Sequence, residues 1–501
     1  MGIIIRQSLK NSVVSYAGVA IGTINVLFLY NQFLSQEQLG FYATLTSMPL
    51  VFASFAQLGM PHVTVRFFNQ FADPERQHNG FFTFLLAVPL LGFGAFSLLY
   101  WVGKGLFFQV YGLNSPLLTT YYWYFLLFTG LVMYQTVLES YARVHLRIVV
   151  PAIVRELFLK LSNSALALLY GFKVINFNQL IMWLLVVYVV AVFLLFCYIA
   201  WLGRLYWKVD FSFVRKPIFG EMMQYGAWVL LGGASATLVP HIEKMMLPAY
   251  PDGMDNTAVF DIASKIALVI AIPRNAIAQI SSPLLAESLK KDNLEHIDEI
   301  YKKSSLNLLI IGAFLFLGIW CNIDSIFQLI PKSEIYSAGK WVVLFFGLGK
   351  LVDMATGLNS EIIMNSRYYR WDLFFYLFLT VLLLFSNAIL IPMYSYNGAA
   401  FASLVSLVCY NAVKYFFILQ KFKLSPFTIS TAKVIGLFAV TFLVVNLIPT
   451  IGSNLIGTLL TILVKSIVIL LIFGGGVLWS GVSEDGNRTL KGIYLRLLKR
   501  I

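Results

Sequence analysis

The chain has 501 residues, of which 59% are hydrophobic and only 12% are charged, and its formal net charge is +13. About a quarter of the residues in a soluble domain are charged, so this composition excludes a soluble globular protein and indicates an integral membrane protein. The basic residues lie mostly in short segments between apolar runs, as anionic membrane lipids favour, and we therefore expect no nucleic-acid partner.

Apolar runs of about 20 residues recur along the whole chain, which predicts an all-α bundle of transmembrane helices. Six runs precede a longer polar segment, six follow it, and two more end before a basic C-terminal tail. We predict about fourteen helices, at 12–30, 39–60, 81–102, 119–141, 150–170, 180–202, 222–247, 258–285, 306–327, 341–364, 371–391, 398–419, 434–448 and 455–480.

The spacing of these runs also predicts the domain organisation. We expect an N-terminal lobe of six helices at 1–203, a cytoplasmic linker at 204–221 and a C-terminal lobe of six helices at 222–421. Two extra helices and the basic tail fill 422–501. Lys and Arg concentrate at the termini and in the segments after even-numbered helices, so the positive-inside rule places both termini in the cytoplasm.

Charged side chains inside the apolar runs mark the candidate site, because a charge at the bilayer centre costs about 3 kcal/mol or more unless it is paired or faces water. Arg274 has no acidic residue nearby on its own predicted helix and is our leading candidate for an anion contact. We expect the cationic lining of a central cavity to be completed by Lys350, Lys160, Arg155, Lys265 and Lys244.

Structural alternatives stay open for several of these residues. Arg155 and Lys160 can instead reach the lipid headgroups. Lys265 lies four residues after Asp261, a spacing that allows a structural ion pair.

The tenth predicted helix carries polar residues that would share one broad face of a continuous helix. Lys350 lies three residues before Asp353, so these two can form an ion pair. The face continues through Thr356, Ser360 and Glu361. Such a face lines a cavity or packs inward, because it cannot face lipid. We expect Lys414, on the twelfth helix, to reach the headgroups.

Signatures of enzymes and metal sites are missing from the sequence. We find no Walker loop and no zinc-ligand spacing, and the predicted outside loops are short. Cys197, Cys321 and Cys409 stand alone in apolar runs. We therefore expect no catalytic residues, metal or cofactor. His241, near the end of the seventh helix, can titrate near neutral pH and take part in proton coupling.

Three short stretches follow a known pattern. Residues 34–42 read LSQEQLGFY, residues 55–59 read FAQLG ahead of Arg66, and Glu243 and Lys244 end the seventh predicted helix. Together with the number of helices and the spacing of the loops, these stretches resemble the polysaccharide-export flippases of the Wzx type. Those flippases belong to the multidrug/oligosaccharidyl-lipid/polysaccharide (MOP) exporter superfamily. The Glu-Lys pair departs from the Asp-Arg pair expected in close relatives, and Lys lacks the bidentate fork of Arg.

The resemblance implies two six-helix, MATE-like lobes around a cavity, with two extra helices, in a bacterial cytoplasmic (inner) membrane. It implies alternating-access transport of an undecaprenyl-diphosphate-linked oligosaccharide for O-antigen, capsule or exopolysaccharide synthesis. Expected partners are the lipid-linked oligosaccharide, a polysaccharide polymerase and chain-length proteins. The resemblance also implies coupling to a proton or sodium gradient, with Asp353 and Glu243 as ion-sensitive acids.

Two other functions remain open. A multidrug or cation antiporter of the same superfamily would favour acidic groups in its cavity, whereas the in-helix charges here are mainly basic. A membrane polysaccharide polymerase is the third possibility. The cationic excess favours the flippase, because an anionic diphosphate would complement it.

Overall fold

A computed structural model describes residues 2–73, 75–210, 217–452 and 454–482, and this part of the chain consists of helices joined by short irregular segments. Ten of its helices are long and apolar enough to cross a membrane. The predicted all-α membrane fold is therefore confirmed. Part of the predicted linker (211–216) and the predicted basic tail (483–501) lie outside the described residues.

The chain divides into two compact units between Asp261 and Ile262. The lobe boundaries predicted at 203 and 421 stay a prediction. The helices of the first unit are α1 (Gly2–Ile24), α2 (Asn31–Phe33), α3 (Gln36–Ala56), α4 (Met60–Phe67), α5 (Phe81–Val102), α6 (Lys104–Tyr111), α7 (Pro116–Thr120), α8 (Tyr122–Val144), α9 (Val149–Ile153), α10 (Leu159–Gly171), α11 (Phe177–Trp201), α12 (Pro217–Leu238) and α13 (Ile242–Met246), and α14 (Gly253–Leu268) contains the division.

Local sequence signals set the helix boundaries of the first unit. Ser35 begins α3 through a capping box with Gln38, and Asn176 begins α11 in the same way with Gln179. Gly40, part of the LSQEQLGFY stretch, lies against the backbone of Met254, where a Cβ atom would meet the carbonyl oxygen at 1.8 Å. The glycine of that stretch therefore allows the start of α14 to lie directly on α3.

Residues 204–210, the described part of the predicted linker, are bound to the first unit. Thr83 donates a hydrogen bond to the carbonyl of Lys208 at 2.8 Å, and the Tyr141 hydroxyl donates to the carbonyl of Arg204 at 3.0 Å. Both donors lie at helix ends, beside a buried core that includes Phe81, Tyr141 and Ile199. This non-helical segment therefore packs against the helices of the first unit, to which it belongs.

The helices of the second unit include one kinked element that supplies two spans. Pro392 and Ser395, with φ 51° and ψ −134°, interrupt α21, so its two parts correspond to the predicted helices 371–391 and 398–419. With α8, α9–α10 and α12, which are more polar, the described helices are consistent with about fourteen spans. The remaining bounds are α15 (Ile272–Lys290), α16 (Leu294–Trp320), α17 (Ile323–Leu329), α18 (Ser333–Tyr336), α19 (Lys340–Ala355), α20 (Asn359–Asn365), α21 (Tyr369–Phe422), α22 (Ile429–Asn446), α23 (Leu455–Ile469) and α24 (Gly475–Trp479).

The prediction of one continuous polar helix face from Lys350 to Glu361 is wrong. The helix ends at Ala355 and a new one, α20, begins at Asn359. Gly357 adopts φ 71° between them, a left-handed conformation that suits glycine and ends helices. A Cβ atom at this position would also lie 3.0 Å from the side chain of Ser305.

An aromatic cluster holds His145, in the connection between α8 and α9. Its ring centroid lies 4.8 Å from that of Tyr141, 5.0 Å from Phe68 and 5.9 Å from His78. Burial, and then the positive charge of Arg204, lower the pKa of His145 to about 4.

The depressed pKa of His145 predicts a loss of stability in acid. An unfolded histidine takes up a proton near its ordinary pKa of about 6.5, whereas folded His145 resists it until about 4. The stability that the neutral ring provides is therefore complete above pH 6.5 and is lost as the pH falls towards 4. We expect the melting temperature in detergent to drop less between pH 7 and pH 5 for His145→Phe than for the wild type. Equal drops would contradict this assignment.

Candidate functional site

A cavity of about 500 Å³ lies within the first unit. Three arginines line it, Arg66, Arg143 and Arg155, together with a single carboxylate, Glu139. We call it the arginine cavity. Its other lining residues are Leu50, Pro61, His62, Val65, Val132, Gln135, Thr136, Ser140, Leu159, Tyr188 and Tyr225. Three guanidinium groups against one carboxylate leave a positive excess, which favours an anionic ligand.

The helices place these side chains in two ways. On α8, Gln135, Glu139 and Arg143 follow one another at intervals of four residues and therefore share a face. Between α3 and α4, Gly59 adopts φ 71°, and a Cβ atom there would meet the carbonyl of Gly226 at 2.5 Å. This break starts a new helix, α4, on which His62 and Arg66 turn to the cavity.

Arg155 is the arginine that is already paired. Its Nη1 lies 2.6 Å from Oε2 of Glu139, and its Nε lies 3.0 Å from Oε1 of Glu156. Gln135 donates to the other oxygen of Glu139 at 3.2 Å. The Glu139 carboxylate is thus held on both oxygens, and its side chain is 10% exposed, against 45% for Arg155.

Arg66 and Arg143 are the two available cations of the cavity. Neither forms a salt bridge with a carboxylate among the residues that the structure describes. The Arg66 guanidinium lies 4.3 Å from the centroid of the Tyr225 ring, a cation–π contact that leaves its donors free for a ligand. Our sequence analysis missed both, because Arg66 falls in a predicted loop and Arg143 falls beyond the predicted fourth helix. The four-residue spacing of Gln135, Glu139 and Arg143 was the signal that could have found Arg143.

Lys160, the other basic residue predicted on the fifth helix, lies outside the arginine cavity. Its ammonium group donates to the carbonyl of Gly18 at 2.9 Å and to Glu156 at 2.7 Å. It thereby links α10 to α1.

Lys244 forms a buried ion pair with Asp261. The sequence spacing allows Lys265 to pair with Asp261, and α13 and α14 also bring Lys244 onto the aspartate, a contact that the spacing did not predict. Only 12% of the Lys244 side chain and 4% of the Asp261 side chain are exposed. Glu243 is buried beside this pair, and Lys265, on α14, is half-buried.

Arg274 is paired with two carboxylates in the second unit, both from helices other than its own. Its Nε lies 3.1 Å from Asp353 and its Nη2 lies 3.4 Å from Glu361. The sequence assigned Asp353 to Lys350, whose ammonium lies 4.9 Å from the centroid of the Phe346 ring. The two acids come from α19 and α20 rather than from the helix of Arg274, and the anion contact predicted for Arg274 stays a prediction.

Lys414 does not reach the headgroups, so that prediction is wrong. Its side chain is 1% exposed and lies 3.6 Å from Asp372. Its ammonium group also donates to Ser360 and, at 3.0 Å, to the hydroxyl of Tyr410. The lysine is thus a buried cross-link between the second half of α21 and α20.

Together these groups form what we call the ionic network, made of Arg274, Asp353, Glu361, Asp372 and Lys414. Three carboxylates face two cations, so the fully ionised network carries one negative charge. A proton or a monovalent cation would balance it. The described residues contain no group of three or more His, Cys, Asp or Glu that could hold a metal ion.

No protein-family model matches the sequence, and no curated protein matches it. Several solved structures, however, match the fold of this chain. A lipid II flippase, MurJ, in an inward closed conformation aligns with a TM-score of 0.66 and 12% identity, over 92% of this chain and 98% of that one. An inward-facing MATE multidrug-resistance transporter of the MOP superfamily aligns with a TM-score of 0.62 and 13% identity, over 82% and 94%. A Vibrio cholerae MATE transporter, VcmN, aligns with a TM-score of 0.53 and 10% identity, over 84% and 98%.

These likenesses show that the chain has the fold of MurJ and of the MATE transporters of the MOP superfamily. The predicted MATE-like architecture is confirmed at this level. The Wzx type that the sequence resembles is one proposal within that fold.

The buried position of Lys414 makes a prediction about stability. Replacing it by Met leaves Asp372 buried without its cation, which costs about 3–5 kcal/mol. We expect Lys414→Met to lower the melting temperature in detergent strongly. Adding Asp372→Asn should recover much of the loss, because both charges are then absent. A Lys414→Met protein as stable as the wild type would show that the ion pair contributes nothing.

Proposed function

We propose that this chain is a flippase that moves undecaprenyl-diphosphate-linked oligosaccharide repeat units across the cytoplasmic membrane of a bacterium, for O-antigen, capsule or exopolysaccharide synthesis. One observation carries the proposal: the arginine cavity, in which three arginines face one glutamate inside a membrane-embedded unit. The fold likeness to a lipid II flippase supports it.

The diphosphate is the part of such a substrate that the arginine cavity would bind. Guanidinium groups form paired, charge-assisted hydrogen bonds to phosphate oxygens, which an ammonium group cannot match in geometry. Arg66 and Arg143 have donors available for this contact, and Arg155 would join by exchanging one of its carboxylate partners. The remaining predicted cations, Lys350 and Lys265 among them, stay proposed contributors along the sugar path.

The other parts of the substrate need less from the protein. The prenyl chain is apolar and can stay in the lipid, while the sugar needs a wide polar route. We propose that two lobes rock to expose this route alternately on each side, as in other secondary transporters. Both termini would lie in the cytoplasm, and a polysaccharide polymerase with chain-length proteins would receive the product outside.

The ionic network is our proposed site of coupling to a proton or sodium gradient. Its single negative charge would be balanced by one cation, and Asp353 forms an ion pair with Arg274. Binding a cation at Asp353 would weaken its hold on Arg274 and so shift the contacts among α15, α19 and α20. Glu243 and His241, near the Lys244–Asp261 pair, are the second proposed location for coupling.

A multidrug or cation antiporter is the second candidate, favoured by the fold likeness to the MATE transporters. The negative ionic network would suit a cationic drug, but the arginine cavity would repel one. Resistance to cationic dyes in cells that express the chain would favour the antiporter. Translocation of a lipid-linked oligosaccharide in proteoliposomes would favour the flippase.

The arginine cavity makes the first functional prediction. Arg143→Gln and Arg66→Gln each remove a charged donor, worth about 1.5–3 kcal/mol, so we expect each to slow translocation of a lipid-linked oligosaccharide in proteoliposomes about tenfold or more. Lys104→Gln is the matched control, since Lys104 lies against the rings of Phe108 and Trp123, outside the cavity. Rates equal to the control in both arginine variants would exclude the cavity as the diphosphate site.

The ionic network makes the second functional prediction. Asp353→Asn removes the charge that we assign to coupling, so an imposed proton or sodium gradient should no longer accelerate translocation. Transport without a gradient should continue. Asp298→Asn, which breaks an i,i+4 pair with Lys302 on α16, controls for the loss of one carboxylate. Undiminished stimulation of the Asp353→Asn protein would rule out this aspartate as the coupling group.

A further inference from the structure

The only carboxylate among the lining residues of the arginine cavity lies where an anionic ligand would bind. Glu139 presents two oxygens to the cavity, one held by Arg155 at 2.6 Å and the other by Gln135 at 3.2 Å. A phosphate group offers the same chemistry: two anionic oxygens for a guanidinium and a neutral amide donor. Arg155 meets in Glu139 the type of group that a diphosphate would present.

Glu139 is set apart from the second acid that contacts Arg155. Glu156 bonds to the Nε of the same guanidinium at 3.0 Å, but it also binds Lys160 at 2.7 Å and does not line the cavity. Glu156 therefore binds the Nε of the guanidinium from outside the set of lining residues. Glu139, which does line the cavity, takes up Nη1.

The geometry also makes the Glu139–Arg155 contact exchangeable. The Arg155 side chain is 45% exposed, so its guanidinium lies within reach of a ligand in the cavity. The Glu139 side chain is only 10% exposed, but its carboxylate keeps the hydrogen bond from Gln135 when Arg155 turns to a phosphate. A carboxylate that competes with the ligand lowers its affinity and gives the arginine a partner when the ligand leaves.

We propose that Glu139 is an internal stand-in for the substrate phosphate, which occupies Arg155 in the empty cavity, yields it on loading and takes it back to drive release. The inference rests on the proposed flippase function. It adds a residue that lowers the affinity for the substrate and thereby speeds its release. Glu139 acts through Arg155 and is therefore a positioning residue.

The sign of the effect separates this role from a structural one. If the ion pair only held α8 and the α9–α10 segment in place, removing it would loosen the cavity and weaken anion binding. If Glu139 is a competitor, removing its charge leaves Arg155 free for the ligand. Binding then becomes tighter and release becomes slower.

The experiment uses the full chain in lipid nanodiscs, with inorganic pyrophosphate and geranyl diphosphate as probes. We expect Glu139→Gln, which keeps the shape and loses the charge, to lower the Kd for both probes about fivefold or more. The same variant in proteoliposomes should translocate a lipid-linked oligosaccharide more slowly under saturating substrate. Glu156→Gln, which removes the other carboxylate on Arg155, is the control and should change the Kd less than about twofold.

A double-mutant cycle tests whether Glu139 acts through Arg155. In an Arg155→Gln background, Glu139→Gln should lose most of its effect on the Kd, because the arginine that it releases is gone. A melting curve for each variant shows that the protein is folded. A folded Glu139→Gln protein that binds pyrophosphate more weakly than, or as well as, the wild type overturns the inference.

The outcomes also distinguish the inference from the proposed function. If the wild type binds neither probe and moves no lipid-linked oligosaccharide, the flippase proposal fails and the role of Glu139 fails with it. If the wild type binds and transports, but Glu139→Gln does not tighten binding, only the stand-in role is lost. Tightening to the same degree in Glu156→Gln would also defeat it, because the effect would then be one of net charge alone.

Discussion

The neutralisation of charge inside a membrane is the constraint on which the rest of this structure depends. An ionised side chain that has left water must find a counter-charge or a hydrogen-bonding partner, or the fold loses several kcal/mol. The chain meets this condition between helices: Lys244 on Asp261, Arg274 on Asp353 and Glu361, and Lys414 on Asp372. These contacts fix which helices are neighbours within each unit.

The arginine cavity and the ionic network, one in each unit, have net charges of opposite sign. In the arginine cavity of the first unit the positive groups outnumber the single carboxylate, whereas in the ionic network of the second unit three acids face two bases. A cavity with surplus arginine suits a phosphate, and a network with surplus acid suits a small cation. The proposed division of roles, with the substrate in the first unit and the coupling ion in the second, is built on this difference in charge.

The sequence was sufficient for the fold because helix length and hydropathy are local properties. Predicting the fourteen spans required only a comparison of the length of each apolar run with the thickness of the bilayer. The site was harder, because its contacts join residues far apart in the chain, such as Arg274 and Glu361, which are 87 positions apart. Helical spacing suggested Lys265 and Lys350 as partners on the same helices as Asp261 and Asp353, but it did not suggest the contacts that these acids make with Lys244 and Arg274 on other helices. Gly357 was the residue whose backbone preference could have revealed the break in the tenth helix, since glycine favours the left-handed conformation seen there.

The reversal in α21 has a consequence for the surface of the protein. Two spans meet there with almost no chain between them, because Ser395 alone departs from helical geometry and a Cβ atom at Gly398 would come within 2.0 Å of the Leu390 carbonyl. On the side of the membrane that this corner faces, the two spans are joined without a flexible loop that a protease or an antibody could bind. An insertion there would have to push two helices apart, so we expect this corner to tolerate added residues poorly.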